Sequence, residues 1–138
     1  MKFLDKDTVL RLLKQDEINH SVVISDPNII DCPMVYGSEE FVSQTGYNVN
    51  EALGKNCRFL QGPETDPNDI NSIRMAIKKK TTITIDILNY KKNGEKFWNR
   101  LRIKPLFDEK GKLIYFAGDQ NPISLEDVRR YNFNKIMD

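Results

Sequence analysis

The sequence predicts a single α+β domain in which helices cover an antiparallel sheet of five short strands. Three segments between residues 83 and 120 alternate apolar and polar side chains with the period of two that is typical of strands. Two further strands are predicted at Ser21–Ser25, which is rich in β-branched residues, and at Pro33–Tyr36. The 138 residues are enough to build one core of this kind.

Helices are expected at both ends of the chain and between the two groups of strands. Asp7 is the predicted N-cap of the first helix. Its apolar stripe consists of Val9, Leu10, Leu12 and Leu13. Short helices broken at Gly46 and Gly54 are expected between residues 39 and 56. Ser124 is expected to cap a last helix. Its weaker stripe consists of Leu125, Val128, Tyr131 and Ile136.

The longest predicted helix begins at Asp66, with Pro67 at the first helical position, where a missing N–H is tolerated. Its buried face is predicted to consist of Ile70, Ile73 and Ile77, and Arg74 lies beside that face. Three lysines, residues 78–80, close the helix, where cations suit the helix dipole. A solvated helix end is therefore favoured over a nucleic-acid-binding patch.

Each of the last three predicted strands carries one side-chain amide on its apolar face: Asn89, Asn99 and Gln120. A three-residue hairpin loop, 92–94, keeps the first two faces in step. A buried polar group without a partner costs about 1–3 kcal/mol. One such amide alone would be explained by a strand cap or a backbone hydrogen bond. Three on one face predict a polar ligand with a mixed donor and acceptor edge, and Gly118 indicates its close approach.

Composition excludes several classes of function. The 21 basic and 20 acidic residues leave a net charge of +1, so neither nucleic acid nor an anionic membrane is an expected partner. No apolar stretch approaches the roughly 20 residues that cross a bilayer. His20 is the only histidine, which leaves little material for a catalytic triad or a zinc site. Cys32 and Cys57 make no disulfide framework, and reduced thiols in the cytoplasm are expected.

The most informative segment is the run from Gly54 to Asp66, which reads GKNCRFLQGPETD. It places the thiol of Cys57 between Asn56 and Arg58, with the amide of Gln61 one helical turn further on. The run resembles the signature of LOV domains, the flavin-binding blue-light sensors of the PAS superfamily. The resemblance extends over about residues 20–122, through the segments 31–33, 45–47, 89–90, 97–99 and 115–120.

The resemblance implies a PAS-type fold that holds FMN between the sheet and the short helices. Asn89, Asn99 and Gln120 would bond the polar edge of the ring, and Asn56 and Gln61 would complete this polar wall. Phe116 and Gly118 would also contact the cofactor. Arg58 and Arg74 would hold the phosphate through their bidentate geometry, although surface ion pairs with Glu64 or Asp69 remain an alternative for either arginine. The loop 61–66 carries no insertion, which favours FMN over FAD.

The function implied is blue-light sensing through a reversible, light-driven adduct between Cys57 and the flavin. Gln120 would relay the change by rotating its amide. The domain would then consist of a core at 20–122 with flanking helices at 1–19 and 123–138. We expect a homodimer through these helices and no enzymatic activity. Two outputs stay open: signalling through the flanking helices of a short LOV protein, or signalling to an effector domain outside this chain.

Two alternatives remain: a flavoenzyme that uses Cys57 in thiol redox chemistry, and a PAS module that binds flavin without signalling by light. Two residues depart from the family pattern. Cys32 stands where many relatives carry Asn, and Asp119 stands where an apolar residue is usual.

Overall fold

The computed structural model describes residues 1–13 and 21–129. Strands β1 (Ser21–Ser25), β2 (Met34–Gly37), β3 (Ile83–Tyr90), β4 (Lys96–Phe107) and β5 (Leu113–Ile123) form one sheet. Helices are α1 (Lys6–Leu12), α2 (Glu39–Thr45), α3 (Val49–Ala52) and α4 (Pro67–Lys79), with 3-10 turns at Cys57–Leu60 and Leu125–Asp127. No described helix is long and apolar enough to cross a bilayer.

The sheet has the order β2-β1-β5-β4-β3, and every neighbouring pair is antiparallel. This confirms the predicted five-stranded α+β fold. In the β3–β4 hairpin Tyr90 pairs with Lys96, and Gly94 takes a φ of +89° in the turn between them. The Lys91 N–H also donates to the Glu95 carbonyl at 2.8 Å, which leaves residues 92–94 as the loop. The predicted three-residue loop is therefore correct, and it keeps Asn89 and Asn99 on the same face of the sheet.

The two faces of β1 contribute to two different cores. Val22 and Ile24 pack with Val9 and Leu13 from the α1 segment on what we call the outer face. Val23 packs with Phe41 and other residues of the short-helix region on the opposite, inner face. Alternation along a single strand therefore separates the N-terminal helix from the helices that carry the cysteine motif.

The N-cap of α1 is Asp5, so the prediction of Asp7 is wrong. The carboxylate of Asp5 accepts a hydrogen bond from the Thr8 N–H at 2.8 Å, while Asp7 lies inside the first turn, where its charge suits the helix dipole. The buried stripe is also narrower than predicted: Val9 and Leu13 are buried, and Leu10 is exposed.

Helix α4 begins as predicted, since the Asp66 carboxylate accepts from the Asn68 N–H and Pro67 is the first residue. Its buried face differs from the prediction. Ile73 and Ala76 are buried, whereas Ile77 lies one position further round the helix and is partly exposed. The small side chain of Ala76 is therefore buried where the sequence pattern predicted that Ile77 would be.

The predicted helix after Ser124 is wrong for the residues described there. Leu125–Asp127 forms a single 3-10 turn, and Val128 returns to extended backbone. The Ser124 hydroxyl bonds the Asp127 carboxylate at 2.8 Å and does not cap backbone N–H groups, so it closes a turn without starting a helix. The remainder of the predicted helix, residues 130–138, lies outside the described residues, as do residues 14–19 of the N-terminal flank and residue 20 of the core.

Candidate functional site

The three predicted amides meet on the inner face of the sheet. The Asn99 side chain is 0% exposed, and its Nδ2 donates to Asn89 Oδ1 at 3.0 Å and to Gln120 Oε1 at 2.6 Å. Its Oδ1 accepts from the Asn121 N–H at 2.9 Å. We call Asn89, Asn99 and Gln120 the amide cluster. A hydrogen bond to backbone was the alternative explanation for each amide. It is correct only in part, because hydrogen bonds between the side chains also join the three strands.

Two further features beside the amide cluster test whether a polar ligand fits this face. Ser21 lies directly across from Gln120, and its buried hydroxyl has no hydrogen-bond partner among the described residues. A Cβ at Gly118 would lie 3.2 Å from Gln120 Nε2, so a larger residue would crowd the amide. An unsatisfied hydroxyl beside three amides suits a ligand with several donors and acceptors, such as a flavin ring edge.

Cys57 lies at the start of the 3-10 turn below the same face. Asn56 caps this turn, since its Oδ1 accepts from the Arg58 N–H at 2.9 Å. The Cys57 sulfur is 4.0 Å from the hydroxyl of Ser25, which points from β1 toward the same side as Ser21. Ser21 and Ser25 are four residues apart, about 13 Å along the strand. A planar ligand on this face can therefore contact both the thiol and the amide cluster.

Burial raises the pKa of the Cys57 thiol to about 12, with a small further rise from nearby Cys32 and an opposing effect of the Ser25 hydrogen bond. Cys57 is consequently a protonated thiol at neutral pH. Burial likewise raises the pKa of Cys32 to about 11. Neither cysteine forms a disulfide. The site therefore offers a neutral S–H group and no preformed thiolate.

Arg58 pairs with Asp31, which was not among the partners considered from the sequence. Both guanidinium Nη atoms bond the carboxylate, at 2.8 and 2.6 Å, and the Asp31 carbonyl accepts from Asn56 Nδ2 at 2.7 Å. Both side chains of this ion pair are more than half exposed, so the pair can rearrange at little cost. Arg74 is exposed on α4.

The loop that follows Gln61 is fastened to β3. The Gly62 N–H donates to Thr65 Oγ1 at 3.0 Å, and that hydroxyl donates to the Leu88 carbonyl at 2.7 Å. The Tyr90 hydroxyl accepts from the Glu64 N–H at 3.0 Å. A Cβ at residue 62 would come within 2.3 Å of the Tyr90 ring, so this position requires glycine. The contacts anchor the cysteine motif beside Asn89.

Comparisons with known proteins identify the family of the chain. The profile of the PAS domain family matches residues 19–129. A structure solved in a study of a flavin analogue and the light-oxygen-voltage domain mechanism is 39% identical, with a TM-score of 0.84 over 96% of both chains. The dark structure of the Aureochrome1 LOV domain is 36% identical, with a TM-score of 0.83, and the match covers 100% of this chain and 99% of that one. The chain belongs to the PAS family and is a LOV domain.

Curated relatives of this LOV domain are longer proteins. Phototropin-2 of Oryza sativa subsp. japonica is 47% identical over 105 residues, which cover 76% of this chain and 12% of the relative. A blue-light-activated histidine kinase of Brucella anthropi is also 47% identical over 105 residues, which cover 21% of that protein. The match thus spans only about an eighth to a fifth of these relatives.

The two departures from the LOV pattern, Cys32 and Asp119, lie in different parts of the fold. Asp31 and Cys32 both have left-handed backbone, with φ of +70° and +46°, in the turn that leads to β2. Asp119 lies on the outer face, paired across the strands with Arg102. A cavity beside it has a volume of about 20 Å³, room for about one water molecule, so it is not the cofactor site.

Sequence reasoning missed Ser21 and Ser25 as members of this LOV site. The signal that could have found them is the pair of serines at the two ends of the apolar strand β1. Side chains alternate between the two faces of a strand, so Ser21 and Ser25 lie on the same inner face as Val23. Phe116 was predicted and is buried on that face, opposite Ser25.

Proposed function

We propose that this LOV domain binds FMN on the inner face of its sheet and senses blue light through a reversible bond between the sulfur of Cys57 and the flavin. The observation that carries the proposal is the position of the Cys57 thiol and the amide cluster on one face. The similarity to a phototropin and to a blue-light-activated histidine kinase supports the same conclusion.

In the proposed complex the amide cluster binds the ring edge through the donors and acceptors that its mutual hydrogen bonds leave open. Asn89, Asn99 and Gln120 together offer three acceptors and six donor N–H bonds, which matches a mixed polar edge. Asn56 and Gln61 extend this set from the motif side. Phe116 and Gly118 form the surface on which the ring lies.

The phosphate is proposed to bind Arg58 and Arg74. Each guanidinium has five N–H donors, and the Asp31 carboxylate engages two of those on Arg58. The remaining donors of Arg58 stay available to an anion. The fork geometry of both arginines suits phosphate oxygens better than an ammonium group would.

When bound, the flavin supplies blue-light absorption and an electrophilic ring carbon. Cys57 brings a protonated thiol, since its pKa is about 12, so the residue delivers both the sulfur and a proton. If the flavin nitrogen beside Gln120 changes from a hydrogen-bond acceptor to a donor, Gln120 would rotate its amide and present Oε1 in place of Nε2. This rotation breaks the 2.6 Å bond between Gln120 Oε1 and Asn99 Nδ2. The amide cluster is therefore the first protein element to respond.

The raised pKa of Cys57 disfavours the alternative of a flavoenzyme that uses this thiol in redox chemistry. Thiol-disulfide chemistry needs a thiolate near neutral pH, and a resting pKa of about 12 leaves almost none. The proposal is accordingly a sensor without an activity of its own, which acts on an effector domain outside this chain. The cytoplasmic location stays a prediction.

The proposed homodimer depends on fewer residues than the sequence implied. Val9 and Leu13 pack against their own sheet, so among the described residues at this end the exposed apolar side chains are those of Met1, Phe3 and Leu10. A second copy would meet the same surface across a two-fold axis. Light scattering of the full chain, in darkness and under blue light, tests for it; one monomeric mass in both conditions contradicts this part of the proposal.

The proposal is tested first on the purified protein in darkness. It should be yellow, with close to one flavin for each chain, and the flavin released by denaturation should co-elute with FMN in chromatography. A protein that is colourless and takes up no flavin on refolding contradicts the proposal. Release of FAD would contradict the choice of cofactor alone.

A further inference from the structure

Asp31 bonds both residues that flank the Cys57 thiol, and nothing in the proposed photochemistry uses it. Its carboxylate accepts from Arg58 Nη1 at 2.8 Å and from Nη2 at 2.6 Å. Its carbonyl accepts from Asn56 Nδ2 at 2.7 Å. The bonds from Arg58 hold the pKa of Asp31 below its ordinary value, so the carboxylate is charged at neutral pH. The guanidinium that is proposed to hold a phosphate therefore already has an anion beside it.

The backbone fixes Asp31 in this place. Asp31 and Cys32 have left-handed backbone, with φ of +70° and +46°. The Cys32 N–H donates to the Ile29 carbonyl at 3.0 Å. The Met34 N–H donates to the Lys55 carbonyl at 2.8 Å, which ties this turn to the cysteine motif. Residues other than glycine persist in a left-handed conformation only where surrounding contacts determine it, so the turn itself holds the carboxylate beside the motif.

An approaching anion can use only part of the Arg58 guanidinium. A guanidinium has five N–H donors, and the Asp31 carboxylate takes one on each Nη atom. This ion pair does not engage the Nε–H or the second N–H of Nη2, which lie on one side of the group and form a fork of their own. A phosphate would therefore bind beside the carboxylate without replacing it. Two anions would then share one cation.

The sign of the effect of Asp31 on a bound phosphate follows from two opposing contributions. A phosphate monoester carries a charge of about −1.5 to −2 at pH 7. At a separation of about 6 Å in water, its repulsion by one carboxylate changes a dissociation constant by a factor of about five to ten. The opposing benefit, that Asp31 holds the Arg58 side chain still, is smaller because both side chains are more than half exposed. Repulsion therefore decides the sign.

We propose that Asp31 sets the cofactor selectivity of this domain: its carboxylate weakens the binding of a flavin that carries a phosphate and leaves the binding of riboflavin unchanged. The inference rests on the proposed function, because it concerns the phosphate end of the same flavin site. Arg58 and Arg74 would present two positive charges to the phosphate, and Asp31 cancels one of them. The domain accordingly accepts riboflavin more readily, relative to FMN, than the two arginines alone would allow.

The variant Asp31→Asn tests this inference in the flavin-free full chain, titrated in darkness with FMN and with riboflavin. Asparagine has the same size, tolerates left-handed backbone and keeps the carbonyl that Asn56 contacts. Calorimetry should show FMN bound about five- to tenfold more tightly than by the parent, and riboflavin bound as by the parent. The gain should shrink as salt is raised from about 0.05 M to about 0.5 M, because it is electrostatic. An unchanged ratio of the two affinities, or weaker binding of FMN, would overturn the proposal.

Glu64→Gln is the matched control, since it also removes one exposed carboxylate close to the cysteine motif in the sequence. Glu64 pairs with Lys96 at 2.7 Å, and its side chain is 62% exposed. This variant should keep the parent's ratio of FMN affinity to riboflavin affinity. A gain for FMN as large as that of Asp31→Asn would assign the effect to net charge and overturn the proposal.

A second variant decides the matter if Asp31→Asn does not fold. Glycine adopts a positive φ without steric cost, so Asp31→Gly removes the carboxylate from a turn that suits it. The same gain for FMN is expected, and the absence of any gain would overturn the proposal.

The titrations separate a failure of this inference from a failure of the proposed function. If the parent binds both flavins and bleaches reversibly under blue light, while Asp31→Asn leaves the affinity ratio unchanged, Asp31 has no part in selectivity and the sensor function stands. If the parent binds neither flavin, the proposed function is refuted and this inference with it.

Discussion

Asn99→Ala should destabilise the flavin-free domain more than any other single amide change in the cluster. Asn99 makes hydrogen bonds to Asn89, Gln120 and the Asn121 N–H. Its loss leaves two buried acceptors, Asn89 Oδ1 and Gln120 Oε1, without their donor. At about 1–3 kcal/mol for each, the free energy of unfolding should fall by about 2–6 kcal/mol. The Asn121 N–H adds little, because that residue is exposed and water can replace the bond.

Urea unfolding of the flavin-free protein, followed by far-UV circular dichroism, measures this change without the stability that a bound ligand adds. A domain of this size has a total stability of about 5–15 kcal/mol, so the loss should be unmistakable. Asn71→Ala, on the exposed surface of α4, is the control and should change stability by less than about 0.5 kcal/mol. A loss below about 1 kcal/mol for Asn99→Ala would refute the closed amide cluster.

Three further predictions concern the cofactor, the thiols and the relay. Arg58→Ala and Arg74→Ala should each weaken FMN binding about tenfold or more and riboflavin binding little, because only FMN carries a phosphate; calorimetry with both flavins checks this, and equal losses would assign the arginines to the fold. Since burial raises the pKa of Cys57 from 9.0 to about 12, its thiolate fraction at pH 8 should be roughly a thousandfold below that of an unperturbed thiol. Alkylation by iodoacetamide should therefore be slow at Cys57 and at Cys32, and it should speed up as the pH approaches the raised pKa values. Rapid alkylation at pH 8 would show that the environment of these thiols does not raise their pKa values. Gln120→Leu should leave light-driven bleaching intact while suppressing light-dependent hydrogen exchange outside the site, and a response as large as in the parent would remove Gln120 from the relay.

The sheet and the amide cluster could be predicted from the sequence because they depend on local periodicity. Alternation assigned Asn89, Asn99 and Gln120 to one face, and the three-residue hairpin loop fixed the relative register of the first two. The start of α4 followed from Asp66 and Pro67, whose capping chemistry is local. In these cases the signal lies within a few residues, and pattern and structure agree, whereas the equally local cap signals at Asp7 and Ser124 did not hold.

The remaining features depend on contacts between distant residues. The partner of Arg58 is Asp31, 27 positions away, and no spacing rule selects it over Glu64 or Asp69. The residues that follow β5 bond Arg100 and Asp86 through backbone groups of residues 127 and 129, and such contacts have no sequence signature. Helix α1 begins after Asp5 and not after Asp7, and its residues Val9 and Leu13 pack on strands far from them in the sequence.

The central claim is that Cys57 reacts reversibly with a bound flavin under blue light. Visible absorption spectra of the flavin-loaded protein, recorded in darkness, after blue illumination and after return to darkness, test it directly. The parent and Cys32→Ala should lose the flavin band near its visible maximum on illumination and recover it in darkness. Cys57→Ala should keep its flavin, its fluorescence and an unchanged visible band. Reversible bleaching that persisted in Cys57→Ala, or a parent whose spectrum did not respond to light, would contradict the account.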